Sequence, residues 1–579
     1  MNGRFRLALV ALFVLFAASR FYAIDADVPD WRIGHYDAFD ELFYSNVAFA
    51  HRDGHAEVAR LLGEDALSNG HQFCNWLQNG LVWLLLAIFG GSYAAFRGSS
   101  VLFALGTMAL FAWLLVRHHP RRRGWVVLAL AYLTVDAGFL LASRIVEPTI
   151  ERIFALTATL ALGALLAERA ARSLAATLLL ATATVLFVLL SYPTNAFVAL
   201  GVALAVVGDR LLDRDVRGAA ARAGLFAAGA ALAVGLYVLL DALIVGTSLR
   251  AELAAAAPTL SERSVPGHAP HAAVMMAFNV ARIALANSFK TSPALLLALL
   301  FTLPAHLLAA WQRRSRFSLL VACVALAFVA QTAFLNDYPE RKLVIVVPLA
   351  LLVIVDGADH FAAFAERLAH AAVARRAYLG FVIVATLAVV ASWLRGRVSQ
   401  SIVLDWRGPR ALLPLALAAA LLTTAAAVAA FRRWRRAGLL AGVAVAAALV
   451  PPAIAGAGVT WAAPTFTYRD AMRDLAHYGD GQRFAGGLSM ALQLYNHTHA
   501  FMSPYGFDHR DAAYRAALAR LTSEGRVDFT AGFADGSGGD FSTRTAQALG
   551  FAPVREYLVR AGADAPVRVA VYRAPRVLR

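Results

Sequence analysis

Residues 99–142 read SSVLFALGTMALFAWLLVRHHPRRRGWVVLALAYLTVDAGFLLA. Two apolar runs, 99–116 and 126–142, flank a short knot of arginines from Arg117 to Arg123. An apolar run of about 20 residues matches the hydrocarbon thickness of a bilayer. The basic knot between two such runs is what the cytoplasmic bias for Lys and Arg produces. This pattern recurs over the first 456 residues, with spans expected near 5–23, 99–116, 126–142, 150–166, 174–190, 195–208, 223–246, 291–310, 317–335, 342–356, 378–394, 411–430 and 438–456. The fold class is therefore an α-helical polytopic membrane protein of about 13 transmembrane helices.

Composition agrees. Of 579 residues, 60% are hydrophobic and only 16% charged, against roughly 45–50% and 25% in soluble domains. Mean hydropathy is +0.62. A wholly soluble chain and a disordered one are both excluded. The net charge of +16 raises nucleic-acid binding, but the arginines sit between apolar runs, where orientation explains them, so no nucleic-acid partner is expected. Alternating spans put Arg4 and Arg6, Arg117 to Arg123, Arg169 and Arg172, Arg210 to Arg222, Arg313 to Arg316, Arg367 to Arg376 and Arg432 to Arg436 on one side. That side is read as cytoplasm, with the C-terminal tail outside. The apolar stretch 77–90 would invert this order if it spanned, so it is read as a helix at the outer interface. The first span is read as an uncleaved anchor, with a cleaved signal peptide as the alternative.

Two non-spanning regions remain: an external loop, 24–98, within a transmembrane domain of 1–456, and a tail, 457–579, long enough for a domain. The tail alternates helical patterns (Tyr468–Tyr478, Arg510–Thr522) with strand-like runs (Arg526–Phe529, Val567–Tyr572), as a small α/β domain does. Cys74 and Cys323 are too few for a zinc site and badly placed for a disulfide.

Charges at the outer ends of spans are the chemical signal, because ionisable groups near a bilayer are costly without a partner or task. His35-Tyr36-Asp37-Ala38-Phe39-Asp40-Glu41-Leu42-Phe43-Tyr44 crowds three carboxylates, which raise one another's pKa and suit a base or a metal site; an acidic helix start is the plain alternative. Ser143-Arg144-Ile145-Val146-Glu147-Pro148-Thr149-Ile150-Glu151-Arg152 offers a guanidinium for a phosphate, with Glu147 and Glu151 on one face if the turn is helical. Arg341, Lys342 and Lys290 lie on the side where positive charge is otherwise sparse. Head-group binding accounts for them, as does snorkelling.

The order of these features resembles the GT-C glycosyltransferases that use polyprenyl-phosphate sugars, nearest the protein-mannosyltransferase and aminoarabinose-transferase branch. The quoted likenesses are Asp40-Glu41 with Tyr44 and Ala48, an interfacial helix followed by Gly90-Gly91-Ser92-Tyr93-Ala94-Ala95-Phe96-Arg97, then Ser143-Arg144 with Glu147, and Glu340-Arg341-Lys342-Leu343 through Pro348. His71 to Leu77 departs from the His-Pro-Pro-Leu type of stretch often found there, and Glu at 147 or 151 stands where Asp is usual. The resemblance implies an inverting transferase at the outer face of a bacterial inner membrane. Its donor is a polyprenyl-phosphate sugar and its acceptor a lipid, glycan or protein hydroxyl. It implies Asp40 as base, with Asp37 as rival and Glu41 as helper. Arg144, Arg341, Lys342 and Lys290 would face the donor phosphate. Glu147 or Glu151 would be an acidic partner, or a ligand for Mg or Mn, with Tyr44 and His35 as further site candidates. A flippase for a lipid-linked sugar and a non-catalytic envelope-assembly protein are the competing classes.

Overall fold

In the computed structural model the described residues are 3–27, 45, 48–49, 76–170, 173–191, 195–244, 272–282, 293–312, 315–334, 344–394, 464–479, 481–485, 494–495, 499–501, 511–534, 542–560 and 566–575. The spans expected at 411–430 and 438–456 lie outside them.

The helices follow the apolar runs. They are α1 (Gly3–Phe21), α2 (Trp76–Phe89), α3 (Tyr93–His118), α4 (Arg123–Val135), α5 (Ala137–Ala142), α6 (Pro148–Ala170), α7 (Leu174–Leu190), α8 (Ala196–Leu212), α9 (Val216–Ile244), α10 (Ala272–Arg282), α11 (Pro293–Trp311), α12 (Arg316–Phe334), α13 (Val346–His370) and α14 (Ala372–Leu394). Among the described residues, five helices are long and apolar enough to cross a bilayer. Helix ends carry local stop signals. Ser92 caps α3 by accepting from the Ala95 N–H at 3.1 Å, and Pro148 opens α6, where its missing N–H costs nothing. The run 126–142, expected as one helix, breaks at Asp136. That side chain accepts from the Phe139 N–H at 2.8 Å and from the Tyr132 hydroxyl at 2.9 Å, so it caps α5. A structural cap explains this intramembrane acid without a transport role.

Packing depends on small residues, as expected where lipid removes the hydrophobic drive between helices. A Cβ on Gly201 of α8 would overlap the Val324 backbone of α12, and one on Gly357 of α13 would overlap Thr302 of α11.

The tail contributes α15 (Thr467–Gly479), β1 (Arg483–Ala485), β2 (His499–Phe501), α16 (Asp511–Ser523), β3 (Phe529–Phe533), α17 (Ser542–Ala548), β4 (Ala552–Val559) and β5 (Val567–Arg573). They build a five-stranded sheet in the order β2-β1-β3-β5-β4. β1 runs parallel to β2 and β3, while β5 is antiparallel to β3 and β4. One face of the sheet closes a core with α16 and α17 through Leu518, Leu521, Ala546, Phe551 and Tyr572, while the other faces the helices of the membrane part. Phe484, Phe529, Val569 and Val571 share one apolar cluster with Tyr93, Phe96, Ile145 and Val146 of the helical part. The tail is therefore seated on the end of the bundle where α3 and α6 begin.

Candidate functional site

That end holds buried charge. In the first turns of α3, Arg97 is 2% exposed. Its Nη1 donates to the carbonyls of Ile24 (3.0 Å) and Ala26, and its Nη2 to the Tyr93 hydroxyl at 2.9 Å. Its guanidinium lies over the Tyr93 ring, 4.2 Å from the centroid. Arg144, in the turn between α5 and α6, donates from Nη2 to the Ala23 carbonyl at 2.7 Å. Its buried Nη1 has no hydrogen-bond partner. Burial pulls the Arg144 pKa down to about 10, and the like charge of Arg97 pulls the same way, against Tyr22 and Asp25. A buried guanidinium beside a second one, with an N–H left over, suits an anion.

Beside them, Glu147 precedes α6 and accepts from the Thr149 hydroxyl at 3.4 Å. Glu151 is fully buried in the first turn. One of its oxygens accepts from the Gln78 N–H at 3.2 Å, so it satisfies a donor in the first turn of α2. The other has no hydrogen-bond partner. From α2, Gln78 Nε2 donates to Ser45 Oγ at 3.3 Å, and Asn79 Oδ1 accepts from the Ala48 N–H at 3.0 Å. Phe49 packs on Phe96 with ring centroids 5.7 Å apart. Ser45, Ala48 and Phe49 are thus held against α2 and α3.

Of the expected site residues, Arg144, Glu147 and Glu151 meet at this end. His35, Asp37, Asp40, Glu41, Tyr44, Lys290, Arg341 and Lys342 lie outside the described residues. Among the described residues, no three His, Cys, Asp or Glu are arranged to hold a metal ion. The Asp37 and Asp40 half of the expected ligand set lies outside them. The sequence reading gave Arg97 no task, although it stands in the quoted Gly-aromatic-Arg stretch. An arginine placed one turn inside an apolar helix was the available signal. Gln78 and Asn79, polar residues at the start of an apolar run, were another.

At the opposite end, Asp356 of α13 is buried and accepts from Ser318 Oγ at 2.9 Å, with His306 Nδ1 at 2.6 Å. His119 and His360 nitrogens lie 3.7 and 3.8 Å from it. Asp359 binds Arg122 at 2.8 Å and His119 at 3.2 Å.

Taken together, the apolar helices, their alternating basic turns and the tail seated on one end define a multi-pass membrane protein of the GT-C fold. That fold is shared with the crystal structure of ArnT from Cupriavidus metallidurans bound to undecaprenyl phosphate, at 13% identity, 98% coverage of each chain and a TM-score of 0.51. The apo form of the same ArnT aligns over 97% of each chain at 14% identity and a TM-score of 0.48. The arabinofuranosyltransferase AftD from mycobacteria aligns over all of this chain and 40% of its own, at 11% identity and a TM-score of 0.40. Residues 360–498 match a family model described as a domain of unknown function, DUF389, which spans about a quarter of the chain. No curated protein matches by sequence.

Proposed function

We propose that the protein is an inverting glycosyltransferase, moving a sugar from a polyprenyl-phosphate donor to an acceptor hydroxyl. The observation that carries this reading is the buried Arg97–Arg144 pair, with an unpartnered Nη1, at the tail-bearing end of a GT-C bundle. The solved ArnT with that fold holds undecaprenyl phosphate, and the same lipid phosphate suits two guanidiniums. The positive-inside bias puts this end, and the tail, at the outer face of a bacterial inner membrane.

In the proposed reaction the acceptor oxygen attacks the anomeric carbon from the side opposite the phosphate. The C–O bond to the acceptor forms as the C–O bond to phosphate breaks, and the electron pair leaves with the phosphate. Asp40 takes the acceptor proton, with Asp37 as rival and Glu41 in support. Ser45, held by Gln78, is five positions along the chain from Asp40. Arg144, joined by Arg341, Lys342 and Lys290, stabilises the charge gathering on the departing phosphate. Mg or Mn, if bound, would screen that same charge, with Glu147 and Asp37 or Asp40 as hard-oxygen ligands. The acceptor is a lipid, glycan or protein.

The test is a transfer assay of the purified protein with a panel of polyprenyl-phosphate sugars, beside Asp40→Asn of confirmed fold. Turnover with at least one donor, falling about 100- to 10,000-fold in the variant, is expected. Undiminished turnover removes Asp40 from the base role, and lipid translocation without transfer makes the protein a flippase.

A further inference from the structure

We infer that residues 22–27 form a strap that couples the seating of the tail to the phosphate-binding arginines, with Asp27 as the positioning residue. The inference rests on the transferase reading above.

The strap begins as α1 ends. Ala23 has φ 44°, a left-handed conformation that is unfavourable for a residue with a Cβ. Such a turn persists only where its surroundings hold it. Here its carbonyl is the acceptor for Arg144, and the carbonyls of Ile24 and Ala26 are acceptors for Arg97. One short piece of backbone therefore fixes both guanidiniums.

The far end of the strap is fastened to the tail. The Asp27 N–H donates to the Thr465 carbonyl at 2.7 Å. Its carboxylate accepts from Thr465 Oγ1 at 2.7 Å, Thr467 Oγ1 at 2.8 Å, the Thr467 N–H at 2.9 Å and the Tyr468 N–H at 3.0 Å. The last two are free donors at the start of α15. The residue before that helix is Phe466, whose carbonyl accepts the first helical bond from Asp470 but whose side chain has no acceptor. The usual local cap is missing, and a carboxylate 440 positions away supplies it. Alongside, Asp25 binds Arg469 at 2.6 Å. Tail docking and arginine placement thus run through one strained segment, and releasing Asp27 frees the carbonyls that hold Arg97 and Arg144 in a preorganised arrangement.

The test measures the dissociation constant of undecaprenyl phosphate on the purified full chain, a quantity read only from folded molecules. Failure of the wild type to bind would count against the transferase reading and leave no phosphate site for the strap to serve. With wild-type binding in hand, Asp27→Ala is expected to weaken it about tenfold. Thr467→Val, on the tail, removes one strap bond together with the bond its hydroxyl accepts from the Arg560 N–H, and should weaken it about threefold. In an Arg144→Ala background, Asp27→Ala should add less than about twofold, because coupled residues are not additive. Unchanged affinity in Thr467→Val and Asp27→Ala, or full additivity with Arg144→Ala, overturns the strap. If Asp27→Ala does not fold, Thr467→Val alone decides.

Discussion

The two ends of the helical bundle differ in their arginines, although neither is uniform: Arg469 binds Asp25 at the tail-bearing end, and buried Arg222 holds the Ser173 carbonyl at the other. At the tail-bearing end, Arg97 and Arg144 are buried and hold backbone carbonyls. At the other end, arginines hold carboxylates: Arg122 with Asp359 at 2.8 Å, Arg316 with Asp209 at 3.5 Å and Arg210 with Asp215 at 3.8 Å. A carbonyl satisfies an N–H and leaves the cation charged, whereas a carboxylate cancels it. At the first end Arg144 keeps a buried Nη1 without a hydrogen-bond partner, which suits an anionic ligand. The second is an assembly of neutralised pairs around Asp356, His306, His119 and His360.

Substitutions test that division. Asp356→Ala strips the carboxylate from three imidazoles and Ser318, and should cost about 3–5 kcal/mol of stability with turnover per folded molecule unchanged. Thermal melting in detergent, paired with specific activity, reads both. Arg144→Ala should do the reverse, lowering turnover about 100- to 1,000-fold while the melt moves little. If the melt collapses and folded enzyme keeps its rate, Arg144 joins the structural arginines. Gly201→Val lies between the ends, where a side chain would meet the Val324 backbone. A loss of about 1–3 kcal/mol, with donor affinity untouched, is expected from ligand titration and melting.

The smallest effect concerns a paired arginine in the tail. Burial raises the Asp528 pKa, but the Arg483 guanidinium and N–H more than offset it, helped by Arg573, so the carboxyl is held below its usual value. A carboxylate with a depressed folded pKa stabilises above its unfolded pKa of about 3.9. That stability is lost as pH falls through the folded value. For a pair this accessible, with side chains 38% and 30% exposed, the contribution is under about 1 kcal/mol. Melts at pH 6 and pH 3 should differ less in Arg483→Ala than in the wild type, and an identical difference would mean that the pair does not titrate with folding.

Much of the fold is legible in the chain because hydrophobic runs report on helices locally. The expected 174–190 is α7, and 150–166 lies inside α6. The stretch 77–90, expected as a helix, overlaps α2 (Trp76–Phe89), and Tyr468–Tyr478 lies inside α15. The strand-like run Arg526–Phe529 meets β3 only at Phe529, and β1, β2 and β4 escaped notice. β1 and β2 are three residues each, too short for alternation to show. β4 is largely exposed along its length, so it has little apolar alternation to reveal. The kink at Asp136 escaped because a cap inside an apolar run reads as a stray charge. In the site, Arg144 was visible as an outward cation. Arg97 and Asp27 were not, because nothing near either residue names its partner.

The sequence by itself determined the membrane class, the alternation of basic turns, most helix limits and the mixed character of the tail. All of these follow from residues within one or two helical turns of one another. Only the tertiary structure decided the strand order, the seat of the tail on α3 and α6, and the acceptor that Arg144 finds. Those depend on contacts across long separations, 121 positions from Arg144 to Ala23 and 440 from Thr467 to Asp27. No local pattern carries such information, because packing, not periodicity, selects the acceptor that each guanidinium and each helix end finds.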